Sequence, residues 1–367
     1  MPENGERNNT LFKQACKLYS MPELTNGEVR DIMANAYKLL KGGSFPQHRF
    51  ETLMASAYKT VRIKDNKNIS IRPVDNLTKS VIDDIMSHKY IPTGVDEWDS
   101  DLDGGLVRGN TYSIIGKGGT KKSLFAMSMG LMNCMSKGTP IAYFNMEMST
   151  SQSFIRAYKM LFNIDIKDKI KRGEINNIDV ENMSNEFKRV LKNKFYLIDN
   201  NNLLPKDVSS VIDDIKNRYD EEVGLIVLDS MNSMATIGNS EAFTAFEVSK
   251  ELKQIAKDKN VVVLLINHIT KGVPGHVRDV SLYVRGGEKI RDNCDAYFCL
   301  SQCVDRESST LIGEDKDYVY LKDIIYTRFV NKRESGNTID KILKLDVDIN
   351  PRPLDVNTKS YELNYKG

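Results

Sequence analysis

Hydrophobic and polar positions alternate with different periods in two parts of the chain. Between residues 8 and 61 the apolar side chains recur every three or four positions, which predicts short amphipathic helices. From Thr111 onward, short apolar runs that end in polar residues alternate with helical stretches. Continuous apolar strands separated by helices are typical of a mostly parallel sheet covered on both faces. The pattern therefore predicts a small all-α N-terminal domain over residues 1–62 and an α/β domain over residues 91–367.

The segment between these regions, residues 63–90, is polar and lacks a steady period. It predicts a linker in which VIDDIMSHK, Val81–Lys89, forms one short helix. Near the other end of the chain, YVYLKDIIYTRF and TIDKILKLDVD predict two or three further strands, antiparallel at one edge of the sheet.

The octapeptide GKGGTKKS, from Gly116 to Ser123, nearly matches the phosphate-binding pattern G-x-x-x-x-G-K-[S/T]. It follows the predicted strand TYSIIG and precedes a predicted helix, where backbone N–H groups and the helix N-terminus together form an anion site. Lys122 is expected to reach the β- and γ-phosphates of a bound nucleotide, and Ser123 to bind Mg²⁺. The predicted nucleotide-binding residues are Gly116, Lys117, Gly118, Gly119, Thr120, Lys121, Lys122 and Ser123.

Lys121 is the exception within this stretch, because the pattern has its second glycine there. A non-glycine residue costs on the order of 1 kcal/mol if the position needs an unusual backbone conformation. The same side chain adds a positive charge beside the triphosphate. An incidental turn rich in glycine and lysine is the alternative interpretation.

Polar residues follow three of the predicted strands. PIAYFN leads to Glu147, GLIVLD ends in Asp229, and VVVLLIN leads to His268. In a doubly wound sheet, ligands bind at the carboxyl ends of the strands. The three side chains suit hydrolysis of the β–γ phosphoanhydride: Asp229 as a second Mg²⁺ anchor, Glu147 as the proton acceptor and His268 as a sensor of the γ-phosphate. The alternatives are an ordinary turn aspartate and a structural histidine.

Composition and charge add few constraints. With 40% hydrophobic and 28% charged residues, the 367-residue chain has the composition of a folded globular protein. The 52 Lys and Arg residues and 50 Asp and Glu residues give a net charge of +2, so a nucleic-acid surface would have to be a local groove. The five cysteines lack C-x-x-C spacing, which disfavours a zinc site. No apolar run of about 18 residues and no signal core occur, so we expect a cytoplasmic protein without membrane contact.

Several motifs in a fixed order resemble the RecA-type motor domain of DnaB-type replicative helicases. The resemblance covers roughly residues 91–348 and is carried by IPTGVDEWDSDLDGGLVRGNTYSIIGKGGTKKS, NMEMS, LIVLDSM, INHITK, VRGGEKIRDNCDAYFCL and YTRF. It implies a RecA-like P-loop NTPase fold and an ATP-dependent DNA helicase that uses ATP and Mg²⁺. The chain departs from the family pattern at Lys121, at Gly287 where serine is usual, and at Tyr326 where lysine is common.

The resemblance also implies a ring, a homo-hexamer or heptamer with ATP at each interface between protomers. One protomer supplies Lys122, Ser123, Glu147 and Asp229, and its neighbour supplies an arginine finger in trans. YTRF assigns that role to Arg328. Lys332 and Arg333 are the reserve candidates.

Two polar, glycine-containing segments after Asp229 and His268 are long for loops of an α/β domain. They are predicted to line the channel and to bind single-stranded DNA, with solvated surface loops as the alternative. The predicted DNA-binding residues are Gly238, Asn239, Ser240, Lys271, Arg278 and Arg285.

The N-terminal stretch NGERNNTLFKQA resembles the small helical PriCT module that follows the catalytic domain of many primases. This resemblance implies a primase or polymerase domain or protein as a partner, a primase-helicase system of phage or plasmid type, and a longer parent chain. The resemblance to DnaB-type helicases implies that the linker helix Val81–Lys89 docks on the adjacent subunit, as the corresponding helix does in that family.

Two other functions stay open. The alternatives to the helicase are an ATP-binding assembly or loading factor, in which Lys121 weakens hydrolysis, and a recombinase of the RecA type. Rings favour the helicase, and open filaments favour the recombinase.

Overall fold

The computed structural model describes residues 4–19, 21, 24, 26–39, 51–57, 90–200, 203–234, 241–285, 288–304, 311–315, 318–332, 336–345 and 354–355. The chain divides into two compact units, Met1–Ser87 and His88–Gly367. The predicted linker helix Val81–Lys89 lies outside the described residues.

The first unit contains helices α1 (Asn4–Tyr19) and α2 (Asn26–Leu39), and residues 51–57 are also helical. Apolar positions three or four apart bring one face of each helix into a shared core. This core is small, and its buried members are Ala15, Val29, Met33, Met54 and Ala57.

The second unit alternates strands and helices in the order that the sequence pattern predicts. Its helices are α3 (Asp96–Asp101), α4 (Lys122–Lys137), α5 (Thr150–Phe162), α6 (Ile166–Lys171), α7 (Asn177–Leu191), α8 (Pro205–Tyr219), α9 (Glu241–Lys259) and α10 (Glu288–Asn293). Its strands are β1 (Thr111–Gly116), β2 (Ile141–Asn145), β3 (Phe195–Asp199), β4 (Leu225–Asp229), β5 (Val262–His268), β6 (Ala296–Val304), β7 (Leu311–Asp315), β8 (Tyr318–Asn331), β9 (Thr338–Lys344) and β10 (Leu354–Asp355). Within the described ranges, no helix is long and apolar enough to cross a bilayer.

The strands form one sheet in the order β10-β9-β8-β6-β1-β5-β4-β2-β3, with β7 paired to β8. The six strands from β6 to β3 in this order run parallel. Strands β7 to β10 are antiparallel to their neighbours, which confirms the predicted antiparallel edge. The C-terminal ends of β1, β2, β4 and β5 therefore meet at one edge of the sheet.

Helices cover both faces of the parallel strands, so the central strands β1, β2 and β4 are buried along their whole length. On one face, Trp98 of α3 packs with ring centroids 6.0 Å from Phe125 of α4, 5.2 Å from Phe298 of β6 and 6.0 Å from Phe329 of β8. The segment before β1 is thereby anchored to the helix that follows the phosphate-binding pattern.

Candidate functional site

The loop between β1 and α4 bends tightly around Gly116. A Cβ atom on Gly116 would lie 2.5 Å from Thr120 Oγ1 and 2.6 Å from the carbonyl oxygen of Leu300. These distances are too short for any side chain, which explains the first glycine of the pattern. The Thr120 hydroxyl donates to the carbonyl of Lys117 across the loop, at 2.9 Å.

Lys121 adopts a left-handed backbone conformation, with φ 60° and ψ 25°, immediately before the first residue of α4. This conformation suits glycine and strains other residues, so the position does need the unusual backbone that makes a non-glycine residue costly there. The Lys121 ammonium group donates to the carbonyl of Leu345, just beyond β9, at 3.0 Å. The side chain thus ties the loop to the antiparallel edge of the sheet.

Lys122 is buried at the N-terminus of α4. Its ammonium group donates to the carbonyl of Lys117 at 2.7 Å. Burial lowers the pKa of Lys122 to about 8, although the carboxylates of Glu147 and Asp229 oppose this shift. A bound polyphosphate would place more negative charge near the ammonium group and would favour its protonated form.

Ser123 and Asp229 meet beside this lysine. The Ser123 hydroxyl donates to Asp229 Oδ1 at 3.0 Å, and the Tyr143 hydroxyl donates to Oδ2 at 2.7 Å. Tyr143 lies on β2, which pairs with β4, the strand that ends in Asp229. Burial raises the pKa of Asp229, and the two hydroxyl donors act in the opposite direction. The carboxylate is thus desolvated and oriented, as a site for a hard cation requires.

Glu147 and His268 form the other half of the site. His268 Nε2 lies 2.8 Å from Glu147 Oε1, and the Ser230 hydroxyl donates to the same oxygen. The hydrogen bond with His268 lowers the pKa of Glu147 to about 2. The chain next to Glu147 is held in place because the amide of Met146 donates to the carbonyl of Asp229 at 2.7 Å. The peptide bond between Asp229 and Ser230 is cis.

The structure thus brings together the residues predicted at the loop and at the three strand ends. Tyr143, which no sequence motif singles out, joins them because β2 lies beside β4. Its position within PIAYFN, two residues before the end of the strand, is the only signal that could have indicated it.

The segment after His268 folds back on itself. The amide of Arg285 donates to the carbonyl of His268 at 2.8 Å, and the amide of Thr270 donates to the carbonyl of Tyr283 at 2.8 Å. Lys271 and Arg285 are exposed. Arg278 is half-buried, with its guanidinium carbon 4.9 Å from the centre of the Tyr326 ring. Three further predicted DNA-binding residues lie outside the described part of the chain, namely Gly238, Asn239 and Ser240.

Arg328 lies on β8, directly opposite Asp340 of β9. Its Nε donates to Asp340 Oδ1 at 2.9 Å and its Nη2 donates to Oδ2 at 3.0 Å. No sequence pattern predicts Asp340 as a partner. The reserve candidate Lys332 donates to the carbonyl of Arg291 at 2.9 Å, and Arg333 lies outside the described residues.

Comparison with known proteins identifies similar sequences. The family described as DnaB-like helicase C terminal domain matches residues 90–280, about half of the chain. The replicative DNA helicase DnaB of Buchnera aphidicola subsp. Baizongia pistaciae is 25% identical over 261 residues, which are 67% of this chain and 56% of that protein. The replicative DNA helicase DnaC of Bacillus subtilis is 22% identical over 257 residues, with the same shares of each chain. The chain spans about half the length of these curated relatives.

Two solved structures have a similar fold. One is an ATPase domain that superimposes with a TM-score of 0.62 at 17% identity, over 78% of this chain and 100% of that chain. The other is the structure of a DnaB-like replicative helicase and its interactions with primase. It superimposes with a TM-score of 0.58 at 15% identity, over 90% of this chain and 78% of that chain. The predicted α/β class with a RecA-like fold and a mostly parallel sheet is thereby confirmed.

Proposed function

Because the chain belongs to the DnaB-like helicase C terminal domain family, we propose that it is the motor of an ATP-dependent, ring-forming DNA helicase. It would translocate on single-stranded DNA at a replication fork. The observation that supports this function best is the meeting of Lys122, Ser123, Asp229, Glu147 and His268 beside one phosphate-binding loop.

The loop and α4 supply the binding site for the triphosphate. The first backbone N–H groups of a helix point out of its N-terminus and carry partial positive charge, which favours a phosphate group there. Lys122 starts α4, and its pKa of about 8 leaves it mostly protonated at neutral pH. Binding of ATP would draw the ammonium group from the carbonyl of Lys117 towards the phosphate oxygens.

Ser123 and Asp229 are the residues that would hold Mg²⁺. Both offer oxygen ligands, and the buried, oriented carboxylate of Asp229 fits a small hard cation. Among the residues that the structure describes, no cluster of three or more His, Cys, Asp or Glu side chains could hold a metal ion. The cation would therefore take its remaining ligands from phosphate and water, as Mg²⁺ commonly does. When bound, it neutralises charge on the phosphate oxygens.

Glu147 would accept the proton of the attacking water. With a pKa of about 2, its carboxylate is ionised at neutral pH, but so low a pKa makes it a weak base. Movement of His268 towards a γ-phosphate would remove its hydrogen bond and raise the basicity of Glu147. The 2.8 Å contact between His268 and Glu147 thus supports a sensor role for His268.

Arg328 would complete the site from the neighbouring protomer in a hexameric or heptameric ring. An arginine finger stabilises negative charge in the transition state of phosphoryl transfer. The bidentate contact with Asp340 orients its guanidinium group. Assembly of the ring would therefore be required for rapid hydrolysis.

Lys271 and Arg285 would contact the phosphates of single-stranded DNA in the channel. Both are exposed, and both lie on the segment that begins at His268. A ring repeats these charges around one channel, so a chain with a net charge of only +2 can still attract a nucleic-acid strand there.

A primase is the proposed protein partner of the N-terminal unit. Its helices α1 and α2 and the PriCT-like NGERNNTLFKQA sequence support a helical module that belongs to a primase-helicase system of phage or plasmid type. The solved structure of a DnaB-like helicase concerned with primase interactions supports the same class of partner.

The test of the proposed function is the rate of ATP hydrolysis with and without single-stranded DNA. We expect single-stranded DNA to stimulate hydrolysis, and Glu147→Gln to lower kcat by about 100-fold or more. The matched control is Arg218→Ala, which removes an exposed ion pair with Asp214 on α8 and should leave the rate unchanged. A DNA-independent rate that Glu147→Gln does not alter would contradict the motor function.

One observation favours a second candidate, an ATP-binding assembly factor with weak hydrolysis. Lys121 holds a left-handed backbone conformation in the loop and is tied to Leu345, which would restrict adjustment of the loop during turnover. This candidate predicts tight binding of ATP with a background rate of hydrolysis in the unaltered chain. Calorimetry with Mg-ATP, beside the hydrolysis assay, separates the two functions.

A further inference from the structure

Three side chains lie around Arg328, and we call the four residues together the Arg328 cluster. Arg328 and Tyr326 lie on β8, Asp340 lies on β9, and Arg278 comes from the segment after β5. Asp340 bonds both Nε and Nη2 of Arg328, while Arg278 lies over the ring of Tyr326 at 4.9 Å.

Asp340 fixes the plane of the Arg328 guanidinium without covering its outer end. The carboxylate takes the Nε and Nη2 edge, two of the five N–H donors of an arginine. The remaining edge, between Nη1 and Nη2, points away from Asp340 because the group is planar. Although burial acts to raise the pKa of Asp340, the hydrogen bonds from Arg328 hold that pKa below its ordinary value. The pair is thus ionised at neutral pH and oriented side-on.

Tyr326 links Arg278 to this pair. Burial raises the pKa of Tyr326, and the neighbouring carboxylate of Asp340 adds to the shift. The positive charge of Arg278 also acts on Asp340. A guanidinium group within about 6 Å of a tyrosine ring is attracted to its face. Tyr326 precedes Arg328 by two residues on β8, so both side chains lie on the same face of the strand. The position of Arg278 therefore affects the ring that lies beside the pair of Arg328 and Asp340.

The backbone on both sides of Arg278 is anchored. The Ser301 hydroxyl of β6 donates to the carbonyl of Val277. On the other side, Asp279 Oδ1 accepts hydrogen bonds from the amide of Ser281 at 3.1 Å and from its hydroxyl at 2.6 Å. Arg278 is therefore held against β8 by the fold rather than extended into solvent.

The same segment also begins at the nucleotide site. His268, which contacts Glu147, accepts a backbone hydrogen bond from Arg285 at the far end of the segment. Residues 268–285 thus touch the proton acceptor of their own site at one place and the Arg328 cluster at another. Lys271 and Arg285, the proposed DNA contacts, lie near the two ends.

We propose that Arg278, Tyr326 and Asp340 are positioning residues for Arg328, and that residues 268–285 couple the protomer's own ATP site to the arginine it offers its neighbour. The inference rests on the proposed function, in which Arg328 acts in trans. DNA bound at Lys271 and Arg285 would shift this segment and, through Arg278, would adjust Arg328. In this proposal, Arg278 affects the rate of ATP hydrolysis and does not contact a DNA phosphate.

The first experiment measures ATP hydrolysis at saturating single-stranded DNA. We expect Asp340→Asn, Arg278→Ala and Tyr326→Leu each to lower kcat about 10- to 100-fold, with the KM for ATP changed less than about twofold. Tyr326→Phe keeps the ring beneath Arg278 and should lose less than Tyr326→Leu. Arg278→Lys keeps the charge but loses planar stacking, so an intermediate kcat is expected.

A mixing experiment distinguishes positioning in trans from general damage. Lys122→Ala destroys a protomer's own site and keeps its arginine, so mixing it with Arg328→Ala should restore activity at interfaces that combine the two intact halves. Asp340→Asn and Arg278→Ala should regain activity when mixed with Lys122→Ala and regain none when mixed with Arg328→Ala. General damage to the fold would leave Asp340→Asn and Arg278→Ala inactive even when mixed with Lys122→Ala. That result would overturn the inference.

Measurements of DNA affinity distinguish a positioning role of Arg278 from direct contact with DNA. Fluorescence anisotropy with a labelled oligothymidylate and a non-hydrolysable ATP analogue should give the same affinity for Arg278→Ala as for the unaltered chain. Weaker binding, a salt dependence reduced by about one phosphate contact and normal kcat at saturating DNA would make Arg278 a DNA contact and contradict the inference. If Arg328→Ala retains full turnover, the proposed trans role of Arg328 is wrong. If Arg328→Ala loses turnover but the Asp340 and Arg278 variants are normal, only the positioning role of Asp340 and Arg278 is wrong.

Discussion

Lys121 illustrates how one residue can depart from a binding pattern and still occupy its place. The backbone has a left-handed conformation, which glycine adopts without strain, and the ammonium group donates to the carbonyl of Leu345. The strain is therefore local, and the hydrogen bond of a charged group offsets part of it.

Two substitutions at Lys121 separate backbone strain from the side-chain contact. Lys121→Gly and Lys121→Ala both lose the bond to Leu345, but only glycine suits φ 60°. We expect the glycine variant to be more stable than the alanine variant by about 0.5–1 kcal/mol, as measured by urea unfolding. Equal stabilities would show that the loop relaxes to another conformation.

The lowered pKa of Lys122 predicts that kcat/KM and kcat for ATP depend differently on pH. Burial lowers its pKa from 10.5 to about 8, so the free protein loses the charge above about pH 8. We expect kcat/KM for ATP to fall above that pH, while kcat stays flat because bound triphosphate keeps the lysine protonated. A steady-state pH profile measures both. In Lys122→Arg, whose guanidinium stays charged, the basic limb of kcat/KM should disappear, and its persistence would assign the limb to another group.

At the scale of elements, α3 sets the position of the nucleotide site from outside it. The carboxylate of Asp99 accepts hydrogen bonds from the amides of Thr93, at 2.7 Å, and Gly94, at 3.2 Å. Trp98, its neighbour on the same helix, is buried against α4, β6 and β8. The helix thus fastens the IPTG segment to the strands and the helix that carry the loop.

Trp98→Ala tests this anchor. Removing a fully buried tryptophan leaves a cavity, so we expect a loss of about 3–5 kcal/mol in the free energy of unfolding. Denaturant unfolding followed by circular dichroism measures it. Ile178→Ala, at a side chain that is 70% exposed, is the control and should change stability by less than about 0.5 kcal/mol. A small loss at Trp98 would mean that α3 contributes little to the core.

At the scale of the whole molecule, the proposed arginine finger lies on a different part of the sheet from the proposed nucleotide site of the same chain. Lys122, Ser123, Glu147 and Asp229 gather at one edge of the sheet, whereas Arg328 lies on the antiparallel side, on strand β8. Strand β6 separates β8 from β1. A closed ring of identical chains would bring the two sets of residues together at every interface.

The assembly state distinguishes the helicase from the recombinase. In Mg-ATP we expect a species of defined mass, six or seven times that of the single chain, and closed rings in negative-stain images. Light scattering with and without nucleotide measures the mass. Open filaments of variable length would instead support a recombinase of the RecA type.

The sequence predicts those parts of the site that lie in one contiguous loop or directly at the end of a strand. A phosphate-binding loop is contiguous, and parallel strands bring their carboxyl ends to one edge, so Gly116–Ser123, Glu147, Asp229 and His268 can be grouped from spacing alone. In the structure, Ser123 hydrogen-bonds Asp229, and His268 lies within hydrogen-bonding distance of Glu147. Their catalytic roles remain a proposal.

Contacts between distant parts of the chain required the folded molecule. Lys121 meets Leu345, which is 224 positions away, and Tyr143 meets Asp229 because β2 and β4 are neighbours. Arg328 faces Asp340 through the register of β8 and β9. A shift of one residue in that register would turn the aspartate to the other face. Local periodicity defines the strands, but pairing and register depend on packing across the whole sheet, which no stretch of sequence specifies alone.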